Sequence, residues 1–445
     1  MSKKNLIVIG GGAAGIFCAV NAARLHPSLA VTVLEKTHKL LSKVKVSGGG
    51  RCNVTHACYE ITNMAKKYPR GSNFVRKAFH QWFTTDTIQW FAERGVEVKT
   101  EEDGRIFPVS DSSQTIIDCL MKEVNKQGVE ILMRTEVVGV EDSRPAGTGA
   151  GAKAGADNQP MESEIMLGAG PRFRVSLSDG RVLDADYVCI ACGGYPKSAM
   201  FQWIQQTGHT IEEPAPSLFT FNMSGHPITQ LMGVSVPDAQ VRIMGSKLSE
   251  RGPLLITHWG LSGPVILRLS AWGARELALG HYEFSILVNW IPSFNDATAR
   301  EKLQEARYDR ASQKISAKNP FGLPQRLWEY LLTATGIGSE LRWADLPARE
   351  QNKLVQHLCA GEFPIKGKTT FKEEFVTAGG VKLAEVDPAT MQSRKVPGLF
   401  FAGEILDVDG ITGGFNFQHA WTSGFTAAKA IAGLAVQAES NSNYL

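Results

Sequence analysis

The stretch Asn5-Leu-Ile-Val-Ile-Gly-Gly-Gly-Ala-Ala-Gly15 decides the fold of this chain. It sets Gly10, Gly12 and Gly15 in G-x-G-x-x-G register directly after an apolar run. The pattern predicts a strand that turns into a helix: Gly10 permits the tight turn, Gly12 has no Cβ to hold a pyrophosphate away, and Gly15 lets the helix lie close to the strand. The phosphates of a dinucleotide would then bind the free N–H groups at the helix N-terminus.

The next segments complete a dinucleotide-binding unit. The predicted helix runs from Ala14 to His26, and a second strand runs from Ala30 to Leu34. That strand ends at Glu35, where such a fold needs a carboxylate to accept hydrogen bonds from the adenosine ribose. One alternative is a glycine-rich turn that binds nothing, and another is a secretory signal. Because glycines interrupt the apolar run and no cleavage site follows it, we favour the dinucleotide.

Composition limits the remaining function classes. The chain has 445 residues, 43% hydrophobic and 20% charged, as in an ordinary soluble protein of two or three domains. Its 47 basic and 44 acidic residues leave a net charge of +3, so nucleic acid is not expected as a partner, although a local basic patch stays open. No apolar run reaches about 18 residues, so no membrane span is predicted. Seven scattered cysteines indicate reduced thiols and a cytoplasmic protein.

Two of the cysteines have the spacing of a redox motif. Cys189 and Cys192 form a C-x-x-C pair, which would suit a redox dithiol. The pair overlaps the apolar run from Tyr187 to Ala191, which is typical of a buried strand. Residues three apart on a strand point to opposite faces, so we favour two structural cysteines.

A basic, glycine-rich segment follows Glu35. It begins at Lys36 and leads to Ser47-Gly-Gly-Gly-Arg-Cys-Asn-Val-Thr55. Its glycines let the backbone approach a ligand closely, and Arg51 can pair with a phosphate or polarise a flavin carbonyl. A solvated loop is the alternative. We interpret the segment as a cofactor contact.

Three later segments also bring glycines or an acid to the end of an apolar run. Ala191-Cys-Gly-Gly194 follows a predicted buried strand, with a plain turn as the alternative. Near the C-terminus a strand finishes in Gly403-Glu404, whose carboxylate can bind ribityl or ribose hydroxyls of FAD. Gly413-Gly-Phe-Asn-Phe-Gln418 then leads into a helix whose N-terminus can stabilise negative charge on a reduced flavin.

The order of these segments predicts an α/β protein with a split domain. Residues 1–200 form the first part of a Rossmann-type FAD-binding domain with a β-meander, and residues 366–445 form its C-terminal part. Residues 201–365 form an inserted domain, strands first and helices second. Residues 143–171 are rich in Gly, Ala and Pro and cannot bury enough apolar surface to offset their ordering entropy, so they are predicted to be a flexible insertion.

One histidine of the predicted inserted domain is a candidate catalytic residue. His258 lies in Leu254-Leu-Ile-Thr-His-Trp-Gly-Leu-Ser-Gly-Pro264, which is dense in small and polar residues after an apolar strand. Its imidazole could donate a proton near the flavin. A histidine satisfied by the local backbone is an equally good interpretation.

With both halves of the site in view, the chain resembles the bacterial BaiN/RdsA-type NAD(P)/FAD-dependent oxidoreductases, whose relatives include aminoacetone oxidase. The resemblance covers most of the chain and rests on Gly10 to Gly15, Ser47 to Thr55, Thr257 to Pro264, Glu374 to Val381 and Gly398 to Gly424. It implies one non-covalent FAD, an oxidoreductase activity and no fixed substrate. The cofactor-binding residues that the motifs and the resemblance indicate are Gly10, Gly12, Ala13, Ala14, Gly15, Glu35, Lys36, Gly49, Gly50, Arg51, Cys52, Asn53, Val137, Ala191, Gly193, Gly194, Gly403, Glu404, Gly413, Gly414, Asn416, Phe417 and Gln418.

The expected function is an FAD-dependent oxidation or reduction of a small organic substrate. Reduction of an activated C=C bond with NAD(P)H as a transient donor and oxidation of a small amine by O₂ both fit, and the sequence does not choose between them. A flavin-dependent tRNA-modifying enzyme and a non-catalytic flavin-bound redox sensor are the alternatives. No metal site is predicted, and the oligomeric state stays open.

Overall fold

A computed structural model describes residues 3–143, 171–369 and 376–442. The predicted flexible insertion at 143–171 lies outside these ranges except for its two end residues. In chain order the strands are β1 (Asn5–Ile9), β2 (Ala30–Glu35), β3 (Thr55–His56), β4 (Val98–Thr100), β5 (Arg105–Pro108), β6 (Glu130–Met133), β7 (Val137–Asp142), β8 (Phe173–Leu177), β9 (Val182–Ala185), β10 (Tyr187–Ile190), β11 (Ile211–Ser217), β12 (Thr220–Asn222), β13 (Ser235–Ile243), β14 (Ser249–Ile256), β15 (Gly260–Ser262), β16 (Glu283–Asn289), β17 (Gly361–Lys366), β18 (Lys368–Thr369), β19 (Val376–Val381) and β20 (Leu399–Phe401). The helices are α1 (Ala13–Leu25), α2 (Ser42–Gly50), α3 (Ile61–Ala65), α4 (Ser72–Ala78), α5 (Thr84–Ala92), α6 (Ser113–Lys126), α7 (Gln202–Gln205), α8 (Pro264–Trp272), α9 (Ala274–Leu279), α10 (Asp296–Asp309), α11 (Gln325–Ala334), α12 (Ala348–Ala360) and α13 (Phe415–Ser442).

Strand β1 lies at the centre of a five-stranded sheet with the order β20-β10-β1-β2-β6. Every neighbouring pair in this sheet is parallel. Leu6 and Val8 are fully buried, which is expected of a parallel sheet covered on both faces. The glycine turn follows the carboxyl end of this central strand, as in a dinucleotide-binding fold. The predicted Rossmann-type domain is therefore confirmed.

Helix α1 packs along α13, the last helix of the described chain. A Cβ at Gly424 of α13 would lie 2.6 Å from the carbonyl oxygen of Ala14, so the glycine allows the two helices to touch. Phe17 of α1 packs among the rings of Trp82, Trp90 and Trp421, the last of which lies on α13. Residues from both ends of the chain thus build one core.

Two small antiparallel sheets accompany the parallel sheet. Strands β7, β8 and β9 form the predicted meander, and β3, β5 and β4 form a second three-stranded sheet. Asp186 separates β9 from β10, and it accepts hydrogen bonds from the backbone N–H of Asn5 and from Lys4. These bonds direct the chain from the meander into the central sheet.

The inserted unit contains a seven-stranded antiparallel sheet with the order β17-β16-β13-β14-β15-β12-β18. Its two outermost strands are consecutive in the chain, separated only by Gly367 at φ +96°, so the sheet closes on itself as a barrel. Helices α10, α11 and α12 lie between β16 and β17 in the sequence. The predicted order of strands first and helices second is confirmed for β12 to β16 and α10 to α12, and β17 and β18 follow the helices to complete the barrel.

The described chain divides into two compact units. Unit 1 comprises Met1–Pro214 and Thr377–Leu445, and unit 2 comprises Ala215–Val376. The insert was predicted at 201–365, which is earlier at both ends. The difference has a structural reason: α7 belongs with the first unit, whereas β17 and β18 extend the barrel beyond residue 365.

Candidate functional site

The glycine turn, residues 10–15, lies between β1 and α1 and has the geometry that a pyrophosphate requires. Gly10 has φ +114°, and a Cβ there would lie 2.5 Å from the carbonyl oxygen of Ala191. A Cβ at Gly15 would lie 2.0 Å from the carbonyl oxygen of Gly10. A Cβ at Gly12, in contrast, would meet no atom within 4 Å. Gly10 and Gly15 thus pack the turn, while Gly12 borders open space.

The N-terminus of α1 faces this turn without a side-chain cap. Gly12 is its N-cap residue, and Ala13 and Ala14 begin the helix. The first N–H groups of a helix have no partner within the helix, and here no capping side chain accepts from them. They are therefore free to bind an anion.

Glu35 lies beside the same turn, at the end of β2. Its carboxylate accepts hydrogen bonds from the backbone N–H of Gly11 and of Thr37, each at 2.8 Å. It lines a cavity of about 430 Å³ together with Gly10, Lys36 and Val137. Four predicted cofactor residues from three segments thus share one cavity, as an adenosine site requires. The aromatic residues of this cavity, Tyr195 and Trp203, were not predicted, although Tyr195 directly follows the Gly193-Gly194 pair.

The segment from 47 to 53 forms a concave backbone. Gly48, Gly49, Gly50 and Cys52 have φ between +59° and +85°, within the left-handed region. Successive N–H groups in such conformations make an anion-binding concavity. A Cβ at Gly49 or Gly50 would meet no atom within 4 Å. Cys52 is fully buried, and burial raises the pKa of its thiol to about 12, so its role is to hold the loop.

Arg51 is placed differently from the expectation. Its guanidinium pairs with Glu101 at 2.6 Å and lies 4.0 Å from the ring centroid of Phe107. It also lies 3.6 Å from Asp111. The predicted contact with a phosphate or a flavin carbonyl would require Arg51 to leave or share these carboxylates.

Residues 406–418, which we name the C-terminal loop and which include the first turn of α13, are fastened to the segment after Arg51 by side chains. The Asn53 amide accepts from the backbone N–H of Gly414 and donates to the carbonyl of Thr55, both at 2.9 Å. The Thr55 hydroxyl donates to the Gln418 amide oxygen at 2.7 Å. Asn53 lies more than 350 positions before Gly414 and Gln418 in the sequence. The structure brings these three predicted site residues together. Gln418 is fully buried, so its contacts are with protein.

Further contacts hold the same loop. Asn416 exchanges two hydrogen bonds with the backbone of Gly410, at 2.8 and 2.9 Å. His56 donates from Nδ1 to the carbonyl of Gly413 at 3.0 Å, and its ring stacks on Phe415. Phe417 stacks on Trp421. The loop therefore arrives at α13 in a fixed conformation.

Glu404 precedes this loop and contacts residues of the other predicted cofactor-binding segments. One carboxylate oxygen accepts from the backbone N–H of Thr377 at 2.8 Å, and the other forms an ion pair with Lys43. A Cβ at Gly194 would lie 2.9 Å from Glu404 and 2.6 Å from the Thr377 hydroxyl. Gly403 has φ +75° and contacts Ala14 at the start of α1. Glu404 thus lies where three predicted segments meet.

The residues of unit 1 fit FAD. Open space borders Gly12, Gly49, Gly50 and Gly193, so backbone is accessible to a ligand at these four predicted positions. Among the described residues the buried hydroxyl of Thr377 has no hydrogen-bond partner. An acid, an uncapped helix N-terminus and the two aromatic side chains Tyr195 and Trp203 complete a site for adenosine, pyrophosphate and a polyol chain.

Comparison with known proteins agrees with this geometry. The family model described as the HI0933-like protein Rossmann domain matches residues 4–170, and the model described as the HI0933-like protein barrel and H2TH domain matches residues 215–376. The chain belongs to the HI0933-like family. It is an FAD-dependent oxidoreductase with a Rossmann-type FAD-binding domain.

Relatives of this HI0933-like protein cover nearly its full length. The 3-dehydro-bile acid delta(4,6)-reductase of Clostridium scindens is 28% identical over 437 residues, covering 96% of this chain and 98% of the relative. The ribosomal RNA dihydrouridine synthase of Haemophilus influenzae is 30% identical over 434 residues, with the same coverage. Among solved structures, the 3-ketosteroid-delta4-(5alpha)-dehydrogenase from Rhodococcus jostii RHA1 aligns with a TM-score of 0.48 and 13% identity, covering 96% of this chain and 98% of that chain.

The candidate catalytic residue His258 belongs to unit 2, whereas the predicted cofactor residues belong to unit 1. It is exposed in the turn between β14 and β15, where Thr257 and Gly260 exchange backbone hydrogen bonds. Its ring contacts that of Trp259. A catalytic role for His258 stays a prediction.

Several residues that contact the predicted cofactor-binding residues were not identified from the sequence. Lys43, His56 and Thr377 contact predicted site residues directly. Lys43 and His56 lie within or beside the quoted basic segment, so the segment was a usable signal, but nothing in it distinguishes them from solvated residues. His419 also belongs here: it is buried, and burial lowers the pKa of its imidazole to about 4.

All seven cysteines of the protein are free thiols. Cys189 lies in β10, and burial is the largest cause that raises the pKa of Cys192, to about 11. Cys189 is fully buried, as the structural interpretation of the C-x-x-C pair expects. No helix in the described ranges is long and apolar enough to cross a membrane.

The expectation that nucleic acid is not a partner is called into question. It rested on the near-zero charge of the whole chain, but the charge is unevenly distributed: residues 36–85 contain ten Lys and Arg and a single acidic residue, Glu60. A relative of similar length is named for ribosomal RNA. An average over the chain conceals a local excess of this size.

Proposed function

We propose that this flavoprotein reduces a carbon–carbon double bond conjugated to a carbonyl group, with NAD(P)H as the electron donor. Two relatives of similar identity support the reaction class, since one is named a delta(4,6)-reductase and the other a dihydrouridine synthase. A 3-oxo steroid with a Δ4 bond and a uracil ring both contain a C=C bond conjugated to a carbonyl. Reduction adds a hydride to one carbon and a proton to the other.

The observation that carries this proposal is the cradle of unit 1. The N-terminus of α1 and the concave backbone at 48–50 would hold the phosphates, and Glu35 and Glu404 would bind hydroxyl groups. Bound FAD supplies hydride transfer at this site. Lys43 would orient Glu404 through their ion pair.

A proton must also reach the second carbon, and two histidines are candidates to provide it. His56 lies beside Gly413, but burial lowers the pKa of its imidazole and its Nδ1–H is already donated to that carbonyl. A neutral ring without a free N–H is a poor acid. His258 is exposed in unit 2 and is the better candidate.

The substrate is either a small enone or a uracil in RNA. A small organic substrate fits the first relative, and an RNA base fits the second relative together with the basic segment at 36–85. Oxidation of a small amine by O₂ has no comparable support. We also infer a cytoplasmic location, which the seven free thiols favour.

Reduction of the bound flavin and transfer to an acceptor test the proposal in two steps. The purified holoprotein is mixed anaerobically with NADPH or NADH, and flavin absorbance is followed; then 2-cyclohexen-1-one, a uridine-containing RNA transcript or buffer is added. We expect bleaching by the nicotinamide and recovery with at least one C=C acceptor. Recovery with neither acceptor, together with turnover of aminoacetone under O₂, would contradict the proposed reaction.

The order of the two half-reactions follows from the single dinucleotide fingerprint. FAD occupies the only G-x-G-x-x-G unit that the sequence shows, so the nicotinamide has no Rossmann unit of its own. We expect ping-pong kinetics, in which the oxidised nicotinamide leaves before the acceptor binds, and therefore parallel double-reciprocal lines. Intersecting lines would indicate a separate nicotinamide site.

A further inference from the structure

The uneven charge of residues 36–85 becomes informative once ion pairs are assigned. Lys43 pairs with Glu404, Arg51 with Glu101, and Arg70 with the fully buried Asp409. Those three cations are compensated within the fold. The excess must therefore come from other residues of the segment.

Four of these residues form what we name the basic corner: Lys66, Lys67, Arg76 and Lys77, at the ends of α3 and α4. All four are exposed, and within the described ranges none has a carboxylate within salt-bridge distance. The reason lies in the sequence, because residues 61–85 contain no acid. Cations in the last turn of a helix also interact favourably with the helix dipole. That interaction does not explain why four cations lie in a segment that contains no acid.

The two helices of the basic corner are held together. The Ser72 hydroxyl at the start of α4 donates to the carbonyl of Ala65, the last residue of α3, at 2.8 Å. The four cations therefore lie on two neighbouring helices of unit 1 and the turn between them. Lys429 of α13 contacts Gln81 just beyond α4 and adds a fifth positive charge near its edge.

The basic corner borders the candidate flavin site directly. The carbonyl of Lys67 accepts from the backbone N–H of Ile411 in the C-terminal loop at 3.0 Å. Arg70, between the two helices, is bidentate to Asp409 of the same loop. His56 is hydrogen-bonded to Gly413, and its pKa is lowered mainly by burial and also by the positive charge of Lys67. A polyanion on this corner would thus lie next to the loop that leads to α13.

An aromatic side chain accompanies the charges. Tyr59 precedes α3 and is 55% exposed. Proteins that bind single-stranded nucleic acid combine a basic surface along the backbone with exposed aromatic rings on which bases stack. An enzyme that acts on one base must also hold the strand beside it while the base leaves its stack.

We propose that the basic corner binds the phosphate backbone of an RNA strand and thereby presents one of its bases to the flavin site. This inference rests on the proposed function, in the form in which the reduced C=C bond belongs to a uracil. Lys66, Lys67, Arg76 and Lys77 contact phosphates, and Tyr59 stacks on a neighbouring base. The contacts are electrostatic, so binding must weaken as salt rises.

Fluorescence anisotropy of the FAD-loaded protein tests the corner. The probe is a fluorescein-labelled single-stranded 16-nucleotide RNA that contains uridines, titrated at several salt concentrations. For Lys66→Ala/Lys67→Ala we expect binding about tenfold weaker near 0.1 M salt, and a slope of log K against log salt smaller in magnitude by about 1.4, as expected for two lost contacts with a single strand. Lys66→Arg/Lys67→Arg should restore both.

A matched control distinguishes a specific role of the basic corner from the general effect of removing two positive charges. Arg242→Ala/Lys247→Ala also removes two exposed basic residues, from β13 and the turn after it in unit 2, and should leave affinity and slope as in the wild type. Equal loss in the two double variants would overturn the inference, and so would wild-type affinity in Lys66→Ala/Lys67→Ala.

A second readout distinguishes failure of this inference from failure of the proposed function. NADPH-dependent reduction of 2-cyclohexen-1-one should be the same in Lys66→Ala/Lys67→Ala and in the wild type, because the corner holds RNA and does not touch a small enone. If the wild type reduces the enone but does not bind the RNA probe, the basic corner has another role while the reaction class stands. If it binds RNA through the corner but reduces no C=C acceptor, the reaction class fails instead.

Discussion

The glycine turn and the C-terminal loop are both predicted parts of the FAD site, but they are held in different ways. The glycine turn keeps its shape through local geometry: Gly10 and Gly15 allow backbone atoms to approach closely within a few residues. The C-terminal loop depends on distant partners, since Asn53, Thr55 and Arg70 contact it from the other end of the chain. A site of this kind combines one half that a short motif specifies and one half that exists only in the folded protein.

The largest expected effect distinguishes Gly12, which borders open space, from Gly15, which packs against the backbone of the turn. Gly12→Val should abolish FAD binding while the protein stays folded, because the new side chain enters open space that the pyrophosphate needs. The ratio of absorbance at 450 and 280 nm measures the flavin, and circular dichroism measures the fold. Gly15→Val is the contrast: its Cβ would lie 2.0 Å from the Gly10 carbonyl, so the melting temperature should fall as well. Full flavin content in Gly12→Val would refute the assignment of the turn.

The next effect tests whether the C-terminal loop depends on distant contacts. Arg70→Ala leaves the fully buried Asp409 without its bidentate partner, and such losses destabilise by about 3–5 kcal/mol. Urea unfolding of the holoprotein measures the change. Arg251→Ala removes the exposed pair with Asp238 and should cost less than about 1 kcal/mol. Similar costs for the two variants would show that the Arg70 pair does not fasten the loop.

The pH dependence of stability gives a smaller effect at the junction of the loop with α13. Burial lowers the pKa of His419 to about 4, below the value of about 6.5 in an unfolded chain. The folded state then binds fewer protons, so stability falls as the pH drops from about 6.5 towards 4, by at most on the order of 3 kcal/mol. His209, whose pKa burial also lowers to about 4, acts in the same window.

His419→Gln should therefore flatten the decline in the free energy of unfolding between about pH 6.5 and 4 without removing it. Chemical denaturation at a series of pH values measures the profile. His80→Gln changes an exposed histidine and serves as the matched control, with the wild-type profile expected. An unchanged profile in His419→Gln would mean that another group sets the acid response.

The smallest effect concerns the acid that joins the two halves. Glu404→Ala should weaken FAD binding by one or a few kcal/mol, the scale of a lost charge-assisted hydrogen bond. Glu404→Gln keeps an acceptor for the Thr377 N–H and loses only the ion pair with Lys43, so its loss should be smaller. Isothermal titration of the apoprotein with FAD measures both. Wild-type affinity in Glu404→Ala would place this carboxylate outside the cofactor contacts.

The sequence by itself determined the Rossmann-type fold and the glycine half of the site. Gly10, Gly12, Gly15 and Glu35 are readable because each position is dictated by local backbone geometry at the end of an apolar strand, and that requirement leaves a fixed spacing in the chain. The β-meander was readable for the same reason. Nothing comparable marks the closing strands of the barrel, since β17 and β18 are recognised as part of that sheet only through their partners.

Only the tertiary structure decided which charged and polar side chains are committed to the fold. Arg51 forms an ion pair with Glu101, Arg70 with Asp409, and Lys43 with Glu404. Lys66 and Lys67, in contrast, form no ion pair with a carboxylate of the described residues. These pairings join residues 50 to 361 positions apart. The free energy of an ion pair depends on distance and burial, neither of which is contained in sequence spacing, so the basic corner could emerge only after the chain had been folded.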